Sequence, residues 1–139
     1  MSDKQSQNME QTNTRHPDLE IYIKNCTAEQ ILQWLADQCK NVEILSSTQH
    51  SHELELLFSD QYVKSSIQQK VSGKAWTSLW FKSNETPWNT DLECAVQASQ
   101  QMNTQIRCIK AGWSDSNDDN DDQWWKVENG EQELISWKG

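Results

Sequence analysis

The strongest constraint in this chain is a pair of helix-start signals, each leading into an apolar stripe and each set between segments that alternate. In Thr27-Ala28-Glu29-Gln30 the threonine hydroxyl and the glutamine amide can each satisfy the other residue's free backbone N–H, the reciprocal arrangement of a capping box. A helix is therefore predicted from Ala28, with Ala28, Ile31, Leu32, Leu35 and Cys39 on one stripe and Trp34 beside it. Thr90-Asp91-Leu92-Glu93 repeats the signal with a glutamate that also complements the helix dipole, and Leu92, Ala95, Val96, Ser99 and Met102 form the second stripe.

The flanks of both helices read as strands. Leu19, Ile21 and Ile23 alternate with Glu20, Tyr22 and Lys24, the period-two pattern of a half-buried strand. Asn41 marks the end of the first helix. Strands are expected over 42–46 and again where Leu54, Leu56 and Phe58 share a face. Residues 62–71 fit either a helix face or an alternating strand and are read as an additional strand. Further strands are expected over 74–82 and over 105–110, the latter with Ile106 and Cys108 on one face and Arg107 and Ile109 on the other. Asn129-Gly130, between 123–128 and 132–137, is a strong hairpin signal. Two strand–helix–strand units in tandem predict a ferredoxin-like, two-layer α+β sandwich. Its antiparallel or mixed sheet carries both helices on one face and gains extra hairpin strands.

Residues 1–17 are almost wholly polar and cannot bury enough surface to offset their ordering entropy, so a disordered tail ending at Pro17 is expected. Residues 18–139 then form one domain, consistent with a length of 139 residues. No run is long and apolar enough to span a membrane, and the N-terminus carries no secretory pattern. Cys26, Cys39, Cys94 and Cys108 show no paired spacing and read as free thiols of a cytoplasmic protein.

A formal net charge of −9 argues against direct nucleic-acid binding, which depends on clustered Lys and Arg. The same charge suits a basic partner. Five aspartates crowd into the segment Ser114-Asp115-Ser116-Asn117-Asp118-Asp119-Asn120-Asp121-Asp122. A calcium loop is not expected there, because Asp122 stands where the tight turn of an EF-hand needs glycine. A solvated acidic loop is the plain reading, and an acidic contact loop is the functional one. His50 and His52 lack an identifiable third ligand, so no metal site is expected.

Tryptophan is the compositional outlier, with eight residues. Along 75–81, Trp76 and Trp80 point opposite to Leu79 and Phe81, so both faces of that strand are apolar. If Leu79 and Phe81 meet the helices, Trp76 and Trp80 stand on the helix-free face, where Trp124 or Trp125 and Trp137 can join them. Such a face is a partner surface, a face covered by its own chain, or a stacking platform for a small ligand.

No nucleophile elbow, phosphate-cradling glycine loop or Cys/His pairing is present, and neither enzymatic activity nor a cofactor is expected. The expected function is that of a small, acidic, intracellular protein-binding module of the inhibitor or immunity type. Its partner-binding residues are Trp76, Trp80, Trp113, Asp118, Asp119, Asp121, Asp122, Trp124 and Trp125, and its partner is a basic protein or a second copy of the chain. The alternatives are a homodimeric small-ligand-binding domain and a nucleic-acid mimic.

Overall fold

Residues 15–110 and 123–137 are described by a computed structural model. The first helix, α1, spans Ala28–Gln38 and opens with the full reciprocal capping box between Thr27 and Gln30. The second, α2, spans Asp91–Met102. There the Thr90 hydroxyl accepts from the Glu93 N–H, while the Glu93 carboxylate reaches one residue further back, to the N–H of Asn89. The expected reciprocal box is thus only half formed at Thr90. Asn103 ends α2 in the left-handed conformation at φ 57°, which asparagine tolerates better than most residues.

The strands are β1 (Leu19–Lys24), β2 (Asn41–Ser47), β3 (Ser51–Phe58), β4 (Gln61–Gln69), β5 (Trp76–Phe81), β6 (Ile106–Ile109), β7 (Gln123–Glu128) and β8 (Glu131–Ser136). They form one eight-stranded antiparallel sheet in the order β2-β3-β4-β5-β1-β6-β7-β8. The protein is therefore a mixed α+β structure in which strands dominate. The ferredoxin-like sandwich expected from the sequence is not confirmed by this order. After α1 the chain goes to the far edge of the sheet and returns by the meander β2 to β5, so a sequential run of hairpins lies where a compact split unit was expected. The ambiguous residues 62–71 contribute to β4. Asn129 and Gly130, at φ 56° and 80°, turn β7 into β8 with both central residues left-handed, as a tight hairpin requires.

One face of the sheet supplies the core. Leu19, Ile21, Ile23, Leu54, Leu56, Val63, Ile67, Leu79, Phe81, Ile106 and Cys108 are fully buried there. Helix α2 packs against β6, β7 and β1, and α1 against α2 and β2. The buried heart of α2 is Cys94, Ala95, Ala98 and Ser99, with Leu92, Val96 and Met102 only partly buried around it. The stripe is rotated from the one read in the sequence because the small side chains let the helix approach the sheet closely, leaving the larger ones to fill its margins.

Two of the tryptophans close the core. Trp88, in the loop before α2, stacks on Trp34 of α1 with centroids 5.6 Å apart and planes 15° from parallel. It meets Phe58 edge-on at 6.1 Å and Phe81 at a tilt, 5.7 Å away. Each indole N–H has an amide partner. Trp88 donates to Gln97 Oε1 at 2.7 Å and Trp34 to Gln101 Oε1 at 2.8 Å, while Gln38 donates to the same Gln101 oxygen at 2.9 Å.

The expected tail over 1–17 falls mostly outside the described residues. Within its last three, Arg15 donates to the backbone carbonyls of Asn84 and Thr86 and to the Asn89 side chain. The Asn84 side chain donates to the carbonyls of His16 and Trp88. These residues strap the loop that holds Trp88.

Replacing Trp88 with alanine is expected to lower the unfolding free energy by about 3–5 kcal/mol, as for other buried large-to-small aromatic changes. Tyr62→Ala, at a residue 62% exposed, is expected to change it by less than about 0.5 kcal/mol. Urea denaturation of both variants checks the contrast.

Candidate functional site

The helix-free face of the sheet follows from the pairing of β1 with its neighbours. Directly paired residues lie on the same face, and β1 sets Glu20 opposite Trp80, Tyr22 opposite Ser78 and Lys24 opposite Trp76. On its other side Tyr22 faces Arg107, Arg107 faces Lys126, and Ile109 faces Trp124. An aromatic strip therefore crosses β5, β1, β6 and β7 on the side away from both helices.

Its centre is a stacked cation. The Arg107 guanidinium lies 4.7 Å from the Trp76 ring centroid and 4.6 Å from that of Trp137, so it rests against both indoles at once. Trp76 and Trp137 are themselves 4.9 Å apart. Trp124 meets Trp137 edge-on at 4.9 Å, and Tyr22 meets Trp124 and Trp137 edge-on at 5.3 and 5.6 Å. Arg107 Nε donates to Gln105 Oε1 at 2.8 Å, which fixes the guanidinium plane. Burial pushes its pKa below its ordinary value, opposed by the charge of Glu128. The guanidinium remains charged at any physiological pH. Burial, and then the negative charge of Glu20, pushes the Tyr22 hydroxyl up.

Trp80 forms a second, more open centre, with 37% of its surface exposed. Its indole N–H donates to Asp18 Oδ2 at 2.8 Å, and the Lys82 ammonium stands 5.3 Å from its ring centroid. Lys82 is held there by Glu53, at 2.9 Å, whose other oxygen accepts from Ser66 at 2.8 Å. The hydrogen bonds from Lys82 and Ser66 hold the Glu53 carboxyl below its ordinary value. Glu20, directly across from Trp80, moves the other way: burial raises its pKa, and the charges of Asp91 and Asp18 raise it further. Asp91 is also raised, chiefly by burial, although His16 Nδ1 lies 2.9 Å from its Oδ1 and the Glu20 N–H donates to its Oδ2 at 3.3 Å.

The structure divides the residues singled out in the sequence. Trp76 and Trp124 join one cluster and Trp80 stands beside it on the same face. Trp125 does not join them. It pairs with Cys108 and Leu134 on the helix side and packs against the core, because successive residues of a strand point to opposite faces. Trp76, expected on a partner surface, is only 8% exposed. Trp137 and Arg107 pack against it. Trp113, Asp118, Asp119, Asp121 and Asp122 lie outside the described residues. Sequence reasoning passed over Tyr22, Arg107, Asp18, Glu53 and Lys82 as site residues. The alternation of Arg107 with Ile106 and Cys108 was the available signal, since it placed a cation on the face opposite the core.

Chemically the face is suited to binding. Among the described residues no group of three or more His, Cys, Asp or Glu could hold a metal ion. Burial first, and then the charge of Asp91, pushes the Cys94 and Cys108 thiols up, and burial raises Cys26 and Cys39, so none of the four is an activated thiolate. No helix among the described residues is long and apolar enough to cross a membrane. Comparison with family models, curated proteins and solved structures finds no match, so function is inferred from these residues themselves.

Because the folded-state pKa of Glu20 is raised above its usual 4.5, the folded chain holds this proton more tightly than the unfolded one. Its contribution is present below the unfolded value and is lost as pH rises through the folded value. Glu20→Gln is therefore expected to be more stable than wild type at neutral pH. The gain should shrink as the pH falls through the raised folded value toward 4.5 and be absent below it, a trend that urea denaturation across a pH series would show.

Proposed function

We propose that this protein is a binding module that docks a basic protein on the helix-free face of its sheet, in the manner of an inhibitor or immunity-type neutraliser. The observation that carries this proposal is that the face already holds cations against aromatic rings at two places, Arg107 against Trp76 and Trp137 and Lys82 over Trp80. The second is open to solvent and bordered by Asp18, Glu20 and Glu53. An incoming arginine or lysine meets a ring face and nearby carboxylates there, a pairing that provides both anchor energy and charge steering.

The acid excess supports the same partner chemistry. The chain has 21 acidic and 12 basic residues. On this face Glu43 sits directly across from Glu55, and Glu128 across from Glu131. Like charges in opposed pairs are unfavourable in an isolated sheet and are relieved by a cationic surface. The segment containing Trp113, Asp118, Asp119, Asp121 and Asp122 joins β6 to β7, the strands that carry Arg107 and Trp124, and in this proposal it adds negative charge at that end of the strip. An intracellular setting, where the four cysteines stay reduced, belongs to the same proposal. A nucleic-acid mimic would call for unbroken rows of carboxylates, whereas Lys64, Lys82, Arg107 and Lys126 interrupt the acids of this face.

Capture from cell extract on the immobilised chain tests the proposal. A basic protein, released by salt, should be retained by wild type and weakened roughly tenfold or more by Trp80→Ala, the scale of an aromatic anchor. Replacing Asp118, Asp119, Asp121 and Asp122 with Asn should slow its association. Recovery of no basic partner, or undiminished binding by Trp80→Ala, would show that the face does something else.

A further inference from the structure

We propose that two copies of this chain associate through β2, the strand at one edge of the sheet, so that the two sheets become one continuous sheet. Among the described residues the sheet has two outer edges, β2 and β8, and the sequence treats them differently. β8 opens Glu131-Gln132-Glu133, and Glu128 lies across from Glu131. A second negatively charged copy is repelled there, which is one way natural sheets guard an edge.

β2 carries no such guard. It reads Asn41-Val42-Glu43-Ile44-Leu45-Ser46-Ser47, with one charge, and leaves Ile44 50% and Leu45 46% exposed. Beside it runs a groove of about 490 Å³ between α1 and β2, whose apolar lining is Leu32, Ala36, Val42 and Ile44. A pairing register shift between Ile44 and Ser46 bends the strand and leaves Asn41 to Ile44 as its straight portion. Leu45 falls within this shift and adds no charge to the edge.

Charge selects the occupant. A basic partner finds Glu43, the Glu55 directly across from it and, at the groove, Glu29 to attract it here, fewer acids than over the rest of the helix-free face. A second copy carries the same net charge of −9 and is repelled wherever acids are dense, so its approach is easiest at the edge with the fewest charges. The surface is also self-complementary. Antiparallel pairing of β2 with its counterpart about a two-fold axis matches unpaired backbone donors to acceptors. It also lays Val42 and Ile44 of each copy beside those of the other, extending the apolar layer under both copies of α1. This edge is separate from the aromatic face, and either assignment can fail without the other.

Sedimentation equilibrium of the full chain tests this from low to high micromolar concentration. The expected mass rises from 16.2 kDa toward twice that value. Ile44→Lys, at a half-exposed position that tolerates the change, should stay monomeric at every concentration with an unaltered far-ultraviolet spectrum. Leu134→Lys on the opposite edge should dimerise as wild type does. As a second measure on the wild-type chain, amide hydrogen exchange in β2 should slow as concentration rises while that in β8 does not. A wild type that stays monomeric throughout, a dimer that survives Ile44→Lys, or protection that appears in β8 instead would overturn the proposal, even if β2 binds an extended peptide of another protein.

Discussion

The alternation of Leu19, Ile21 and Ile23 with Glu20, Tyr22 and Lys24 sets both faces of this protein, because β1 is the strand on which the two parts of the sheet meet. It is hydrogen-bonded to β5 on one side and to β6 on the other, joining the β2–β5 meander to the C-terminal strands. Its parity passes through the register to Leu79 and Phe81, to Ile106 and Cys108, and on to Val127. A slip of one residue in β1 would bring Glu20 and Tyr22 under the helices and expose three fully buried aliphatic side chains. No other element has this leverage over the whole sheet.

On the helix side, a chain with a hydrophobic fraction of only 35% builds its core by placing a few large rings well and satisfying their polar ends. Trp34 and Trp88 stack between the helices and the sheet, and glutamines 38, 97 and 101 take up the indole N–H groups and one another. Among the described residues no buried side-chain nitrogen or oxygen is left without a partner. Amide-rich helices that look too polar for a core thus become the means by which buried tryptophans avoid a desolvation penalty. The Arg15 and Asn84 hydrogen bonds hold Trp88 in place from the other side.

The opposite face is less comfortable. A guanidinium is partly desolvated against two indoles, Glu20 is held where burial disfavours its charge, and glutamates oppose one another across two strand pairs. Local costs of this kind collect at surfaces whose shape serves something other than stability. Here they share a face with Trp80, the most exposed indole among the described residues, and with the two cation–aromatic contacts that carry the binding proposal.

Much of this was legible locally. The start of each helix, the opposed faces of β1 and β5, the burial of Leu54, Leu56 and Phe58, and the Asn129-Gly130 hairpin follow from spacings of a few residues, where backbone geometry alone dictates direction. The strand order was not legible, because the partner β1 chooses depends on burial summed over the whole sheet, and so the two tandem units suggested a smaller sandwich. Nor could the sequence say that Trp137 covers Trp76, that Trp124 and Trp125 part to opposite faces of β7, or that Arg15 and His16 tie down the loop before α2. The sequence by itself determined the elements and which side chains could share a face, since those depend on the periods of helix and strand. Only the tertiary structure decided which faces meet, because contacts between residues far apart in the chain form only where the packing of the whole sheet brings them together.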